Sequence, residues 1–250
     1  MISTRNPHRI STLSLEFHTL SNPDWPVLRI LVDGQDPFTG VAPEWAGFDP
    51  DAILGHGSPL LPLDGAGRRV AVYRCSCGIE GCGVIAPVIL PSLDRRLVSW
   101  VDFRDFVGVF EGPLPLNLDH EGKPWDLPDI HFAHDQYVAE VERACRDRSW
   151  ETPGRRTTRL LRQYLEAPGF PLPSHYFLEW IAPSSDSEEM VLMFRSSNGA
   201  SEHSRQREVR LTSRHRDPGS AAAEMAGLLR ADPIYDRESR FKSLGAIRSP

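Results

Sequence analysis

Residues 69–90 read RVAVYRCSCGIEGCGVIAPVIL, two apolar runs on either side of a short glycine-rich segment. Val70 and Val72 alternate with other residues in the run at 69–75, and the run at 82–90 is largely apolar, which is typical of strands. Within the six residues between the runs, Gly78 to Gly81 have the length and composition of a four-residue hairpin loop. The sequence therefore predicts an antiparallel hairpin here, and a further strand at 96–103 continues the meander.

Three of the four cysteines in the chain lie near the tip of this hairpin. Side chains alternate between the two faces of a strand, so Cys75 and Cys77 are expected on the same face. A four-residue loop would set Cys82 opposite Cys77, with facing Cβ atoms about 5 Å apart. The sequence thus predicts three thiols in one small patch, with glycines supplying the backbone freedom of a tight turn.

Clustered cysteines in a reducing compartment are more often metal ligands than disulfides. Thiolates favour zinc, so we predict a zinc site held by Cys75, Cys77 and Cys82. Zinc is normally four-coordinate, and the candidates for the fourth ligand are His120, His131 and His134. Two other interpretations stay open: reduced thiols packed as small apolar side chains, and a Cys77–Cys82 disulfide or redox-active thiol.

The pattern Cys-x-Cys-Gly-x-x-Gly-Cys-Gly, residues 75–83, resembles a hairpin found in uncharacterised bacterial proteins. The similarity extends over about residues 68–103. It implies the hairpin itself and carries no assigned activity. The resemblance therefore supports a local structure, and the function has to be argued from the residues.

The remainder of the chain predicts an α+β protein. Before the hairpin, residues 10–20 and 27–32 alternate or cluster apolar residues as strands do. A long loop, residues 35–67, contains one expected helical turn at 49–54, and we expect Trp45 and Phe48 to anchor the loop by burial. After the hairpin region, the proline-rich connector at 112–128 is the strongest candidate for a domain boundary.

Two helices and a C-terminal unit follow the connector. Asp135 is expected to cap a helix that runs to about residue 150. Thr152-Pro153 begins a second helix that ends at Glu166. Strands at 176–182, 190–195 and 208–212 precede a helix that begins at Asp217-Pro218. The predicted architecture is an N-terminal antiparallel β-domain (1–118) with the cysteine hairpin, a connector and helical pair (119–169), and a βββα unit (170–250).

The composition restricts the classes of function. Apolar residues make up 40% and charged residues 25% of the chain, which is ordinary for a globular protein. No apolar run approaches the roughly 18 residues of a membrane span, and residues 1–7 lack a secretory signal. We therefore expect a soluble, cytoplasmic protein with reduced thiols and no membrane association. The net charge is −6 and none of the three regions is net basic, which argues against nucleic-acid binding.

Other candidate residues have simpler interpretations. Cys145 lies on the apolar face of a predicted helix and is expected to be a core thiol. A row of three arginines on the second helix is expected to be a solvated face: Arg155, Arg159 and Arg162. An acid–histidine cluster is a weaker candidate for a metal or acid–base site: Asp119, His120, Asp129, His131, His134 and Asp135. The sequence contains none of the usual nucleophile-elbow, phosphate-loop, dinucleotide or HExxH motifs.

These observations favour a non-catalytic binding or interaction protein with a structural, zinc-stabilised cysteine hairpin and a protein partner. No sequence feature pairs the cysteines with a base or a helix N-terminus that would activate a thiolate, so an enzyme is not the preferred interpretation. The alternative is a thiol- or metal-dependent enzyme centred on Cys75, Cys77 and Cys82, with a connector histidine as its acid or base.

Overall fold

The computed structural model describes ten stretches of the chain: 9–19, 23–55, 57–63, 67–77, 81–108, 113–114, 122–172, 176–184, 189–196 and 206–231. The chain divides into two compact units, Met1–Trp150 and Glu151–Pro250. It is a mixed α+β protein, as the sequence predicts. Among the described residues, no helix has both the length and the apolar character needed to cross a membrane.

The first unit contains eleven of the described strands and two helices. They are, in chain order, β1 Ile10–Ser11, β2 Leu13–Thr19, β3 Pro26–Val32, β4 Ala46–Gly47, α1 Pro50–Ile53, β5 Arg68–Val70, β6 Tyr73–Arg74, β7 Val84–Pro91, β8 Leu97–Asp105, β9 Pro113–Leu114, β10 Lys123–Pro124, β11 Ile130–Ala133 and α2 His134–Arg146.

A large sheet with the order β1-β11-β8-β7-β5-β9 forms the body of this unit. Its pairs are antiparallel except for β1 with β11, which is parallel. The short strand β6 pairs with both β7 and β4, and β10 pairs with the end of β8. The predicted meander is therefore confirmed: β6 pairs with β7 across the cysteine turn, and β7 pairs with β8.

A bulge interrupts the pairing of β7 with β8 at Pro87. The pairing changes register between Ala86 and Val88, because proline has no N–H to donate to the ladder. Across from it on β8, Asp102 adopts a left-handed backbone conformation with a φ of 50°. The Arg69 guanidinium donates to the Asp102 carbonyl (2.7 Å) and carboxylate (2.5 Å), so an ion pair holds the bulge in place.

An aromatic cluster lies at the centre of the core. The Trp100 ring centroid is 5.6 Å from that of Phe132 and 6.3 Å from that of Tyr137, and all three side chains are fully buried. Trp100 Nε1 donates to the Tyr137 hydroxyl (3.1 Å), which donates in turn to the Leu60 carbonyl (2.8 Å). This chain of hydrogen bonds joins β8, α2 and the long loop, and gives the buried polar atoms partners.

Helix α2 also completes the edge of β2. Gln136 accepts from the Leu13 amide (3.1 Å) and donates to the Leu13 carbonyl (2.7 Å). Glu140 accepts from the Leu15 amide (2.7 Å), and Arg143 donates to the Leu15 carbonyl (2.6 Å). Side chains of one helix face thus take the place of a neighbouring strand, which protects an edge that could otherwise pair with another chain.

The long loop before β5 is anchored as the sequence predicts. Trp45 and Phe48 are partly buried against the core, and the Leu28 amide donates to the Phe48 carbonyl (2.8 Å). The expected helical turn is α1, and the Asp49 carboxylate caps it by accepting from the Asp51 amide (2.9 Å). The loop is therefore attached to the core of the first unit through these residues.

The second unit contains α3 Pro153–Glu166, β12 Tyr176–Pro183, β13 Glu189–Ser196, β14 Gln206–Thr212 and α4 Pro218–Ala231. The strands form an antiparallel sheet in the order β12-β13-β14. Leu161 and Leu165 of α3 and Met225 and Leu229 of α4 are buried in the same core as the inner face of this sheet. The predicted βββα unit is confirmed, and Thr152 caps α3 by accepting from the Arg155 amide (3.2 Å).

Some local predictions are wrong. Asp135 does not cap α2: the helix begins at His134, with Ala133 in the cap position, two residues before the predicted cap, and with no side-chain cap. The helix ends at Arg146, not near residue 150, because the chain turns at Asp147, whose carboxylate accepts from the Ser149 amide (2.9 Å). The predicted domain boundary after residue 118 lies outside the described residues. This boundary and the one after residue 169 both remain predictions. The structure divides the chain after Trp150.

Candidate metal centre

The cysteines lie just beyond the ends of two paired strands. Tyr73 and Arg74 of β6 pair with Ile85 and Val84 of β7. The Cys75 amide donates to the Gly83 carbonyl (3.1 Å), which continues this pairing toward the turn. Cys75 and Cys77 follow one arm of the hairpin, and Cys82 precedes the other. The pairing of the two strands therefore brings the three cysteines close to one another in space.

The predicted register of the hairpin is wrong by one residue. The Cys75–Gly83 bond sets Cys82 level with Ser76, not with Cys77. A regular pleat would then turn Cys82 to the opposite face. Within the described residues, however, the regular strands end before that point, and Gly81 has a φ of 73°, a left-handed conformation that favours glycine. The chain is reoriented just before Cys82, and the thiols still converge.

The three sulfur atoms all lie within 4.8 Å of one another. This confirms that Cys75, Cys77 and Cys82 share one patch and are close enough to hold a metal ion. All four cysteines of the chain are present as thiols. Cys75 is half-buried, and Cys77 and Cys82 are exposed, so the cluster is a surface feature. It differs from the alternative in which the thiols are packed beneath the sheet.

Backbone and side-chain contacts hold the arms of the cluster. The Ser76 hydroxyl donates to the Glu44 carbonyl, and the Gly108 amide donates to the Gly81 carbonyl (2.7 Å). The Asp105 carboxylate accepts from the Val84 amide (2.9 Å). The first arm is therefore attached to the long loop, and the second arm to the end of β8 and the residues just after it.

Gly83 fits into a space with no room for a side chain. A Cβ at this position would lie 2.9 Å from the Trp45 ring and 3.0 Å from the Asp105 carboxylate. The sequence does not predict that Trp45 or Asp105 lies in this region. Asp105 contacts Val84 across 21 residues of sequence, and no local pattern signals such a contact. The glycine directly after Cys82 is the one available clue.

The cysteines influence one another's protonation. Donation of the Cys82 S–H to the sulfur atoms of Cys77 and Cys75 raises the pKa of Cys82 to about 11, because loss of the proton breaks this hydrogen bonding and places a thiolate beside the other sulfur atoms. Without a metal, Cys82 is therefore protonated at neutral pH. Such a thiol is a poor nucleophile.

Two of the three candidate histidines lie away from the cluster. His131 lies on β11 and forms a hydrogen bond with Ser99 (2.8 Å), and His134 begins α2 and contacts Asp135 (3.2 Å). Ser99 and Asp105 are six residues apart on β8, which corresponds to about 20 Å. The two histidines are thus at the other end of that strand. His120 and Asp119 fall outside the described residues.

The predicted acid–histidine site has no support among the residues that the structure describes. There, the three cysteines form the sole group of three or more potential ligands close enough for one ion, and His131, His134, Asp129 and Asp135 form no such group. Among the described residues, no histidine or carboxylate belongs to the group that the three cysteines form.

The remaining candidate residues are structural. Cys145 is half-buried on α2 beside the core, and burial raises the pKa of its thiol. The arginines of α3 do not form a uniform solvated face, since Arg155 is buried. Arg159 is paired with Glu151 (2.5 Å) and Arg162 with Glu166 (3.1 Å).

Comparisons with known proteins do not assign the chain to a family. No protein-family model matches this sequence, and searches of curated proteins and of solved structures gave no match. Any function must therefore be inferred from the chemistry of the cysteine cluster.

Proposed function

We propose that this chain is a non-catalytic binding protein whose cysteine hairpin is stabilised by a zinc ion held by Cys75, Cys77 and Cys82. The observation that carries the proposal is the mutual distance of the sulfur atoms, within 4.8 Å. Tetrahedral zinc with bonds of about 2.3 Å needs sulfur atoms about 3.8 Å apart. A movement of about 1 Å, within the reach of side-chain rotation, would close the site on the ion.

The donor set favours a thiophilic metal. Three thiolates suit zinc and other soft or borderline cations, whereas magnesium and calcium prefer oxygen ligands. The ion would join Cys82 on one arm to Cys75 and Cys77 on the other, and so tie together the two ends of the turn. A metal in this position stabilises the folded hairpin in the way that structural zinc sites do.

A substitution at Cys82 tests this proposal, with a second cysteine as control. We expect Cys82→Ser to lose bound zinc and to lower the melting temperature of the zinc-loaded protein. Cys145→Ser removes a thiol outside the cluster and is expected to leave the zinc content unchanged. If Cys82→Ser retained as much zinc as the wild type, the proposal would be wrong.

The fourth ligand can be sought with a variant of the turn. Glu80 lies between Cys77 and Cys82 in the sequence and carries a carboxylate. A lower zinc affinity in Glu80→Gln would identify this carboxylate as a ligand. An unchanged affinity would leave His120, water or a ligand from another molecule as the candidates for that position.

The alternative proposal is an enzyme that uses a thiol or metal at the same cluster. It is favoured by the exposure of Cys77 and Cys82, since catalytic zinc sites keep one position accessible. The raised pKa of Cys82 argues against catalysis by this thiol, because the thiolate is the reactive form. Alkylation rates measured against pH distinguish the two proposals: a thiol that reacts as if its pKa were below about 7.5 would favour catalysis.

The proposed partner is a protein, and nucleic acid is the less favoured ligand. Arg159 and Arg162 are engaged with Glu151 and Glu166, and the net charge of the chain is −6. Both features weaken contacts with phosphates. We expect weak retention on heparin. Strong retention that falls steeply with salt would contradict this part of the proposal.

A further inference from the structure

One segment of the long loop touches both arms of the cysteine hairpin. We call residues 44–48 the Trp45 segment. On the arm that carries Cys75 and Cys77, the Ser76 hydroxyl donates to the Glu44 carbonyl. The same arm pairs with β4, Arg74 with Ala46 and Tyr73 with Gly47. The segment is therefore hydrogen-bonded to this arm at several successive residues.

The other arm reaches the same segment through close packing. Gly83, next to Cys82, approaches the Trp45 ring so closely that a Cβ would lie 2.9 Å from it. Trp45 packs edge-on against Trp125, with ring centroids 5.3 Å apart. Trp125 Nε1 in turn donates to the Val84 carbonyl (3.3 Å). The two indoles and the Cys82 arm thus form one contiguous contact.

We propose that the cysteine site and the Trp45 segment form one cooperative unit, in which a metal that joins the two arms fixes the Trp45 segment in place. The inference rests on the proposed metal function and adds a form of regulation to it. When the arms separate, the hydrogen bonds to Glu44 and β4 move with one arm, and the packing of Trp45 moves with the other. The segment cannot follow both arms, so it loses contacts whenever the metal leaves and the arms part.

The coupling has a size that can be measured. If the segment opens only when the metal dissociates, binding protects it by the full linkage factor, which is about 100-fold when free metal is 100 times Kd. The Leu28 amide reports on this opening, because it donates to the Phe48 carbonyl (2.8 Å). The Leu192 amide, in the separate β13 strand of the second unit, is a control.

The experiment compares amide hydrogen exchange and zinc binding in the same protein. Zinc titration with a chelator gives Kd, and exchange is then followed with and without zinc at 100 times Kd. We expect exchange at Leu28 to slow by up to about 100-fold and exchange at Leu192 to remain unchanged. Tryptophan fluorescence should change on zinc binding in the wild type and much less in Trp45→Phe.

Variants at two glycines separate the coupling from general effects on the loop. Gly83→Ala should weaken zinc binding by about tenfold or more and speed up exchange at Leu28, because the new methyl group collides with Trp45. Gly40→Ala lies in the same loop, has nothing within 4 Å of its Cβ position, and should change neither quantity.

The outcomes distinguish the two proposals. Zinc binding together with protection of Leu28 supports both. Zinc binding that leaves Leu28 exchange and Trp45 fluorescence unchanged overturns the coupling and leaves the metal site intact. A wild-type protein that binds no zinc overturns both, and Gly83→Ala with unaltered zinc affinity would also count against the coupling.

Discussion

The Cα of Gly83 faces the Trp45 indole at such short range that even a methyl group there would lie 2.9 Å from the ring. The Asp105 carboxylate, 3.0 Å from the same position, closes the other side. Contacts of this kind need the smallest residue because neither a packed indole edge nor a hydrogen-bonded carboxylate can move far. The backbone beside Cys82 is therefore fixed by packing as well as by strand pairing.

Replacement of Gly83 by alanine is expected to destabilise the first unit. The added methyl group must displace Trp45 or break the hydrogen bond between Asp105 and Val84, at a cost of about 1–3 kcal/mol. Chemical denaturation with and without a chelator measures this cost. Gly40→Ala serves as the control, and equal stability of the two variants would contradict the packing argument.

Zinc affinity should rise with pH. The pKa of the Cys82 thiol is raised to about 11 in the metal-free protein, and a metal ligand must be the thiolate. Each proton that binding releases makes the apparent affinity about tenfold stronger per pH unit below the thiol pKa. Chelator competition between about pH 6 and about pH 8 tests the sign. An affinity that does not vary with pH would mean that the thiols are not the ligands.

Gln136→Ala is expected to loosen the edge of β2. The substitution removes both hydrogen bonds between the Gln136 side chain and the Leu13 backbone and exposes a strand edge. We expect a loss of about 1–2 kcal/mol in the free energy of unfolding and a greater tendency to aggregate. Glu142→Ala, on an exposed part of the same helix, is the matched control for helix propensity.

Tyr137→Phe tests the hydrogen-bond chain through the core. Without the hydroxyl, Trp100 Nε1 loses its acceptor and the Leu60 carbonyl loses its donor. Each buried group left without a partner lowers the free energy of unfolding by about 1–3 kcal/mol. The amide hydrogens of the long loop near Leu60 should also exchange faster. Tyr164→Phe alters an exposed tyrosine, and its stability should match the wild type.

The sequence predicts most elements of this fold because their signals are local. Thr152-Pro153 marks the start of α3. In the structure the Thr152 side chain caps the helix and Pro153 is its first residue. The strand at β13 is recognisable from its run of apolar residues. The predicted start of α2 is wrong because Asp135 has the right chemistry for a cap but lies inside the first turn.

The site could be predicted only in part, since it depends on contacts that are distant in sequence. The position of Cys75, Cys77 and Cys82 around one turn follows from the hairpin. The register does not follow from the sequence pattern: Arg74 pairs with Val84, so Cys82 lies level with Ser76, and Gly81 has a positive φ that reorients the chain before Cys82. The roles of Trp45 and Asp105 depend on how a loop and a neighbouring strand pack against the turn, which no periodicity in the sequence encodes.

The most direct test of the proposed metal site is the zinc content of the purified 250-residue chain after zinc loading and removal of unbound metal. We predict one zinc ion per chain in the wild type and in Cys145→Ser, and none in the triple variant Cys75→Ser, Cys77→Ser, Cys82→Ser. A wild-type protein that holds no more zinc than the triple variant would contradict the central claim.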